Sequence, residues 1–497
     1  MKKKIYLITG ILIAALTFTA CGAGSKKTAG KNEKTSVDTM SEDEQEKIYE
    51  KLFDINSKVS IDIDVSDEEL QKIQDDYEKY SYTHSKSPIY RRADKVTITI
   101  DDDKYELDDV GIRMKGNMSR TDFYDEKKGG IYNLIHFKLS FDEAFDNEEY
   151  YGDDAEEWKD SEKLKERKAR TFATLDKLEV KWNKNYDNAY VRQSYSYEMF
   201  RNFGVIAPKN SFAQVMRNGE NYGVFMIGEP VDKKFIERNF DEEDQGGDLY
   251  KASWTFKPAN YTKQMTYGIN NPDENKFYNL DLKTNKKTSQ NEKLENMLNV
   301  LNGENVTKED LEKVIDTDNF VKFAAVSYFL GNPDDLRNNY NNHYIYFLKS
   351  SGKAVFIPYD YDRTLGITHS YNPEYTGMTE VSPFSEYAEG NGSSQANPLY
   401  KYTILSNGYF IDEYKKSLAE IASSGWMQPQ RIESEYETVR KNYEDVAVID
   451  KKFENLENDR LEFSLDGEFN YGDDEYNMSV SEYMSRILDT YNSAIDK

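Results

Sequence analysis

Gly331-Asn332-Pro333-Asp334-Asp335-Leu336-Arg337-Asn338-Asn339-Tyr340 and, one hairpin further on, Val355-Phe356-Ile357-Pro358-Tyr359-Asp360-Tyr361-Asp362 decide how this chain is read. The first stretch is a polar loop between a helical run at 308–330 and two short apolar strands, 343–348 and 354–358, joined by Lys349-Ser350-Ser351-Gly352-Lys353. Upstream, residues 59–65 alternate apolar and acidic side chains, 95–100 reads K-V-T-I-T-I, and 136–141 reads H-F-K-L-S-F, all period-2 strand patterns. Helical spacing appears at 67–80 and at 191–203, where Tyr195, Met199 and Phe203 share a face before Gly204. Strands at 212–216 and 222–227 flank Asn218-Gly219, a hairpin signal. A helix at 232–239 and a strand at 248–252 follow, whereas 143–170 is densely charged and reads as an insertion or a mobile helix. Downstream, 390–394 is Gly/Ser-rich and 398–497 is mostly helical. Strands, a helix, a hairpin, helices, the polar loop, a second hairpin and more helices make an α+β chain. The expected units are a strand-rich N-terminal lobe (47–257), a helical lobe carrying the loop and its hairpin (258–420), a cleft between them, and a C-terminal helical extension (421–497).

The N-terminus reads as an address. Lys2, Lys3 and Lys4 precede an apolar run to Ala20, the pattern of a signal peptide over 1–20. Phe18-Thr19-Ala20-Cys21 then resembles a bacterial lipobox, with Phe18 where Leu is usual. Cys21 is the sole cysteine and thus the expected lipidation site. Residues 21–46 read as a flexible tether, poor in large apolar side chains. The expectation is an exported protein anchored by lipid to the outer face of the cell membrane, touching the membrane through that lipid only. A hydrophobic fraction of 38% with 14% aromatics supports a packed core. A net charge of -26 argues against nucleic acid and favours cations and basic protein partners. The four histidines form no metal-binding pattern in the sequence.

The loop and hairpin carry the chemistry. Asp334 and Asn339 repeat the D-x-x-x-x-N spacing in which an Asp takes a hydroxyl proton and an Asn holds Mg²⁺ during phosphoryl transfer. Asp360 stands at the end of the following hairpin, where a second metal ligand is needed. Upstream, Lys138 in H-F-K-L-S-F offers a cation on a strand, with Phe137 and Leu139 pointing the other way. The turn Gly116-Asn117-Met118-Ser119, after Arg113 and Lys115, suggests a phosphate cradle without matching the usual glycine pattern.

With these stretches together, residues 55–420 resemble the spore coat protein H (CotH) family of protein kinases. The resemblance rests on V-G-I-R-M-K-G-N-M-S, H-F-K-L-S-F, V-R-Q-S-Y-S-Y-E-M-F-R-N-F-G-V-I-A-P, N-Y-G-V-F-M-I-G-E-P, G-N-P-D-D-L-R-N-N-Y and V-F-I-P-Y-D-Y-D-R-T-L-G. It implies a divergent two-lobed protein-kinase-like fold. It also implies transfer of the ATP γ-phosphate, with Mg²⁺ or Mn²⁺, to Ser or Thr of a protein. By position, Asp334 is then the catalytic Asp, Lys138 the phosphate-binding Lys, and Lys115, Asn117, Ser119 and Glu229 nucleotide neighbours. Asp360 and Asn339 are the implied metal ligands, with Asn338, Asn341 and Asn342 competing for the amide role. Asp362 is a second ligand or a structural partner of Arg363, and Arg192 or Glu198 would orient Lys138. The expected partner is a protein substrate, basic and Ser-rich.

Two other readings compete. Asp360-Tyr361-Asp362-Arg363-Thr364 has the D-x-D-x-T form of haloacid-dehalogenase-type phosphatases, with Gly472-Asp473-Asp474 as a later acidic motif. That fold needs alternating parallel strands and helices, which the helical C-terminal region does not offer. The alternative function is a non-catalytic cell-surface adhesion or assembly protein on a kinase-like scaffold. Asp101-Asp102-Asp103 reads as a solvated turn before it reads as a Ca²⁺ site.

Overall fold

In the computed structural model, the described residues are 35–36, 40–82, 85–117, 119–185, 187–252, 259–263, 265, 280–367, 378–385, 397–405, 407–450, 453–456, 461–465, 469–470 and 476–495. The expected signal segment 1–20, Cys21, the expected tether as far as residue 34, the run 390–394 and Gly472-Asp473-Asp474 lie outside them.

Seven strands close on themselves. β2 (Val59–Asp64), β3 (Arg91–Ile100), β4 (Asp103–Lys115), β7 (His136–Ser140), β8 (Lys177–Trp182), β9 (Asn210–Arg217) and β10 (Glu220–Gly228) run in the order β4-β3-β2-β9-β10-β8-β7, and β7 pairs back onto β4. The minor strands β1 (Thr35–Ser36), β5 (Tyr124–Asp125) and β6 (Gly130–Ile131) complete this numbering. β4 is long enough to give one edge to β3 and to share the other between β1 at Tyr105 and β7 at 111–115. Alternation along β2 and β3 sends Val59, Ile61, Ile63, Val96, Ile98 and Ile100 into the barrel core. Closure leaves no free edge along these strands, and seven strands leave an interior that side chains can fill. The expected strand-rich lobe is therefore a closed barrel, a feature that local patterning does not specify.

The last strand of that region belongs elsewhere. β11 (Leu249–Ala252) pairs with β12 (Leu280–Leu282) and β13 (His343–Phe347), and β13 pairs with β14 (Ala354–Pro358), all antiparallel. β14 leads directly to Asp360, so the D-x-D motif follows an antiparallel hairpin, contrary to what a phosphatase of the parallel type requires. The run at 308–330 is two helices. The first (Lys308–Val314) stops where Ile315 bridges Ala354, and Asp316 caps the second (Thr317–Leu330) through the Asn319 N–H at 3.0 Å.

The charged segment 143–170 is docked onto the barrel. Trp158 is buried beneath Lys163 and Arg167, and Arg170 donates to the carbonyls of Phe141 and Asp108, each at 2.6 Å. The end of the expected tether, from Glu42, is the start of a helix (Glu42–Leu52) held by a Ser41/Glu44 capping box. Asp101 sits in the β3–β4 turn and accepts the Lys58 N–H at 2.9 Å, a turn role. Residues 35–497 form one compact unit. The stretch expected as an extension supplies core: Ile432, Val439 and Tyr443 of helix Pro429–Ala447 and Tyr483 and Ile487 of helix Val480–Ile495 are all buried.

Candidate active site

Three neighbouring barrel strands present a charged outer face. On β7, Phe137 and Leu139 turn into the core, so Lys138 must turn out. Register then places Arg113 of β4 and Glu179 of β8 directly opposite Lys138. Period-2 pleating adds Lys115, His136 and Lys181 on one side of that row and Lys177 on the other. All of them line one cavity of about 1470 Å³.

Glu179 organises this wall. Its carboxylate lies 2.9 Å from the Lys115 Nζ and 3.7 Å from the Lys138 Nζ. Burial would raise its pKa, but Lys115, Lys138 and Lys251 outweigh that and pull it down to about 2. Burial lowers the pKa of Lys138 below the usual lysine range despite Glu179. Lys115 also donates to the Tyr359 hydroxyl at 3.0 Å. Lys181 closes directly on Asp360 and stands 3.6 Å from Asp362.

The opposite wall comes from the loop and hairpin. Gly331 ends the apolar helix in the left-handed region, φ 61°, where a Cβ is unfavourable, and the chain turns abruptly into the loop. Asp335 ties that loop from inside. It accepts the N–H groups of Arg337 and Asn338, both at 2.9 Å, and the Asn338 side-chain amide at 3.0 Å. Its burial pushes its carboxyl up to about 7. Asp334 projects into the cavity and accepts the side-chain amides of Asn339 at 2.6 Å, Asn342 at 2.9 Å and Asn341 at 3.1 Å. Burial raises its pKa even against these donors. Asp360 is a non-glycine residue at φ 58°, held there by its N–H donating to the Tyr197 hydroxyl at 2.8 Å. Burial opposes its ionisation, but Lys181 and Lys115 keep it well below the usual carboxylate range. Asp362 is pushed up to about 6 by burial and by Asp360.

Among the described residues no group of three or more His, Cys, Asp and Glu side chains is arranged to hold a metal. A Mg²⁺-type ion does not need one, since one or two carboxylates with phosphate oxygens and water suffice. The residues fit such an ion. The Asn341 side-chain oxygen is buried without a hydrogen-bond partner in a cavity that Asp334, Asp360 and Asp362 also line. They fit a nucleoside triphosphate as well, through the lysines of the barrel wall.

Lys115, Lys138, Asp334, Asn339, Asp360 and Asp362 thus share one cavity, and Asn117 and Ser119 lie at its edge in the turn after β4. Glu229 does not line it. It is buried, accepts the Lys209 N–H at 2.8 Å and pairs with Arg238 at 3.1 Å, because its position at the end of β10 faces the helix Lys233–Asn239 that follows. Arg192 pairs with Asp187, and Glu198 with Arg431 at 2.6 Å, so Glu179 is what holds Lys138. Glu179 and Lys181 went unnoticed in the sequence. Their signal was the alternation K-L-E-V-K-W at 177–182, every second residue charged.

Residues 112–480 match the family described as CotH kinase protein. The chain is 27% identical over 272 residues to the inner spore coat protein H of Bacillus subtilis (strain 168), a match covering 53% of this chain and 68% of that protein. The family match takes in both walls of the cavity, from Lys115 and Glu179 to Asp334 and Asp360. On the length of that match, the chain belongs to the CotH kinase protein family.

Proposed function

We propose that this chain is an atypical protein kinase that moves the γ-phosphoryl group of ATP to a Ser or Thr hydroxyl of a protein. The observation that carries this reading is the convergence of Asp334, Asp360 and Asp362 with Lys115, Lys138 and Lys181 in one cavity. The barrel would act as the N-terminal lobe of a kinase-like body and the helical half as the other.

The geometry supports a role for each residue. Asp334, fixed by three asparagine amides, is placed to accept the proton of the attacking hydroxyl. The hydroxyl oxygen bonds to the γ-phosphorus, the bond to the β–γ bridging oxygen breaks, and ADP leaves. Lys115 and Lys138, aligned by Glu179, and Lys181, aligned by Asp360, face the phosphates and counter their charge. Asp360, Asp362 and Asn341 are the residues to hold a divalent ion, Mg²⁺ or Mn²⁺, with Asn339 beside them. Such an ion would supply positive charge against that which develops on the transferring phosphoryl group. The name of the spore coat relative, with the N-terminal pattern, supports an exported protein anchored through Cys21 on the cell surface.

The test is label transfer from γ-labelled ATP to Ser-containing acceptors with Mg²⁺ or Mn²⁺. Asp334→Asn and Asp360→Ala should each lower transfer by about 100-fold or more. Absence of both transfer and calorimetric ATP binding would sink the kinase reading and leave a non-catalytic surface protein on this scaffold.

A further inference from the structure

Asn341 joins the candidate base to the candidate metal position. Its side-chain amide donates to Asp334 at 3.1 Å, and its side-chain oxygen is buried without a hydrogen-bond partner on the cavity wall. The backbone that carries it is strained. Tyr340 at φ 55° and Asn342 at φ 48°, on either side, are both non-glycine residues in the left-handed region. Such conformations persist only where their surroundings over-determine them. The Asn341 N–H donates to the Asp335 carbonyl at 3.1 Å, and the Asn342 carbonyl accepts the Tyr359 N–H at 3.1 Å. The Asn341 carbonyl is held by a histidine.

His343 opens β13, where it stands opposite Pro358. Pleating sends Tyr344 to the cavity and His343 to the other face of the sheet, where its ring meets Tyr261 and Phe356 of the larger core. Its Nδ1 lies 2.8 Å from the Asn341 carbonyl oxygen, and its Nε2 lies 2.5 Å from the Tyr261 hydroxyl. Both His343 and Tyr261 are fully buried. A carbonyl oxygen can only accept, so Nδ1 carries the proton and donates. Burial lowers the imidazole to about 4, so the ring is neutral near pH 7 and Nε2 accepts from Tyr261. Tyr261 is tied down in turn. Its carbonyl accepts the Asn302 side-chain amide at 2.9 Å, and its N–H donates to the Met265 Sδ at 2.9 Å. Asn302 ends the helix Glu292–Leu301. A line of hydrogen bonds thus runs from that helix through Tyr261 and His343 to Asn341 and on to Asp334. Of these residues only Asn341 and Asp334 line the cavity.

We propose that His343, held in one tautomer by Tyr261, is a positioning residue for phosphoryl transfer: it fixes the Asn341 backbone so that one side-chain amide both aligns Asp334 and offers its oxygen to the divalent ion. The inference rests on the kinase reading of the cavity. Neither His343 nor Tyr261 touches substrate, and both act through Asn341.

The first measurement needs no change to the site. In the full chain with ¹⁵N-labelled histidine rings, one of the four histidines should be protonated at Nδ1 alone and should not titrate between about pH 5.5 and 8. Its signal should vanish in His343→Gln. That variant sets its amide near the place of Nε2 and loses the donor to Asn341, whereas His343→Asn sets its amide near Nδ1 and keeps it. Tyr261→Phe removes the hydroxyl alone. His343→Gln and Tyr261→Phe should weaken Mn²⁺ binding, followed by electron paramagnetic resonance, and lower kcat for label transfer, each by roughly tenfold. His343→Asn should restore most of both. Calorimetric affinity for metal-free ATP, which the lysine wall would hold, should stay within about twofold in every variant. A residue that merely supports the fold would move all these quantities together and would not be rescued by Asn in preference to Gln. Protonation at Nε2, an imidazolium at neutral pH, or equal losses in His343→Asn and His343→Gln would overturn the proposal. So would unchanged Mn²⁺ affinity in both His343→Gln and Tyr261→Phe, or no Mn²⁺ binding by the wild type. Should His343→Gln fail to fold, Tyr261→Phe and the ring-nitrogen spectrum decide. If the wild type binds Mn²⁺ but transfers no phosphate, the kinase reading falls alone, and Mn²⁺ affinity with the spectrum still decides what His343 does for Asn341.

Discussion

Glu179 is one carboxylate between two half-buried lysines on the cavity wall, and that shapes what its removal does. In Glu179→Gln the ammonium groups of Lys115 and Lys138 would stay in place while their shared counter-charge disappears. Leaving half-buried charges without a partner costs about 1–3 kcal/mol, to be read from urea unfolding of the variant against the wild type. The pH dependence has a definite sign. Glu179 is held down to about 2, below an unfolded value of about 4.3, so its contribution is present above the unfolded value and is lost as pH falls toward 2. Glu179→Gln should therefore show a flatter acid limb in a stability–pH curve.

At the level of elements, two turns aim the site. The first is the helix end at Gly331, which sets the direction of the Asp334 loop. The second follows Asp362 and ends at Gly366, φ 105°, where the Gly366 carbonyl accepts the Met478 N–H at 2.8 Å. This bond ties the segment bearing Asp360 and Asp362 to the start of the C-terminal helix. A Cβ at 366 would meet the Met478 carbonyl oxygen at 2.8 Å. Gly366→Ala therefore combines an unfavourable backbone region with a backbone clash and should cost on the order of 2–4 kcal/mol, measured by thermal or urea unfolding. Metal or nucleotide affinity should fall with it, since the carboxylates ride on the same turn.

Across the molecule, the helix Pro429–Ala447 joins the two halves. Tyr443 donates to the Phe212 carbonyl at 2.7 Å and accepts the Val59 N–H at 2.8 Å, spanning the parallel β2–β9 pair of the barrel. On the same helix Arg431 reaches Glu198 of the helix Arg192–Asn202 at 2.6 Å and Glu435 at 2.8 Å, so one guanidinium serves two carboxylates. Burial and the neighbouring Glu198 raise Glu435 to about 9. A carboxyl raised in the folded state stabilises at low pH, and that contribution is lost as pH rises from about 4.3 toward 9. Glu435→Gln keeps the shape without the proton. It should raise stability at pH 8 by on the order of 1–2 kcal/mol and flatten the alkaline slope in thermal unfolding followed across pH.

What the sequence determined by itself is local. Period-2 alternation marked β2, β3 and β7, Asn218-Gly219 marked the β9–β10 turn, and polar residues between the apolar helix and the hairpin marked Asp334 and Asp360. Each signal lies within a few residues of its consequence, because pleat, cap and turn geometry are set by neighbouring backbone. Tertiary structure alone decided that seven strands close through the β4–β7 pairing and that β11 leaves the barrel for the hairpin sheet. It also decided that Glu229 turns away from the cavity, that Glu179 rather than Arg192 or Glu198 holds Lys138, and that Lys181 meets Asp360. These contacts join residues far apart in the chain. Their energies depend on shared burial and on which charges the fold brings within a few ångströms, quantities that no short stretch of sequence contains.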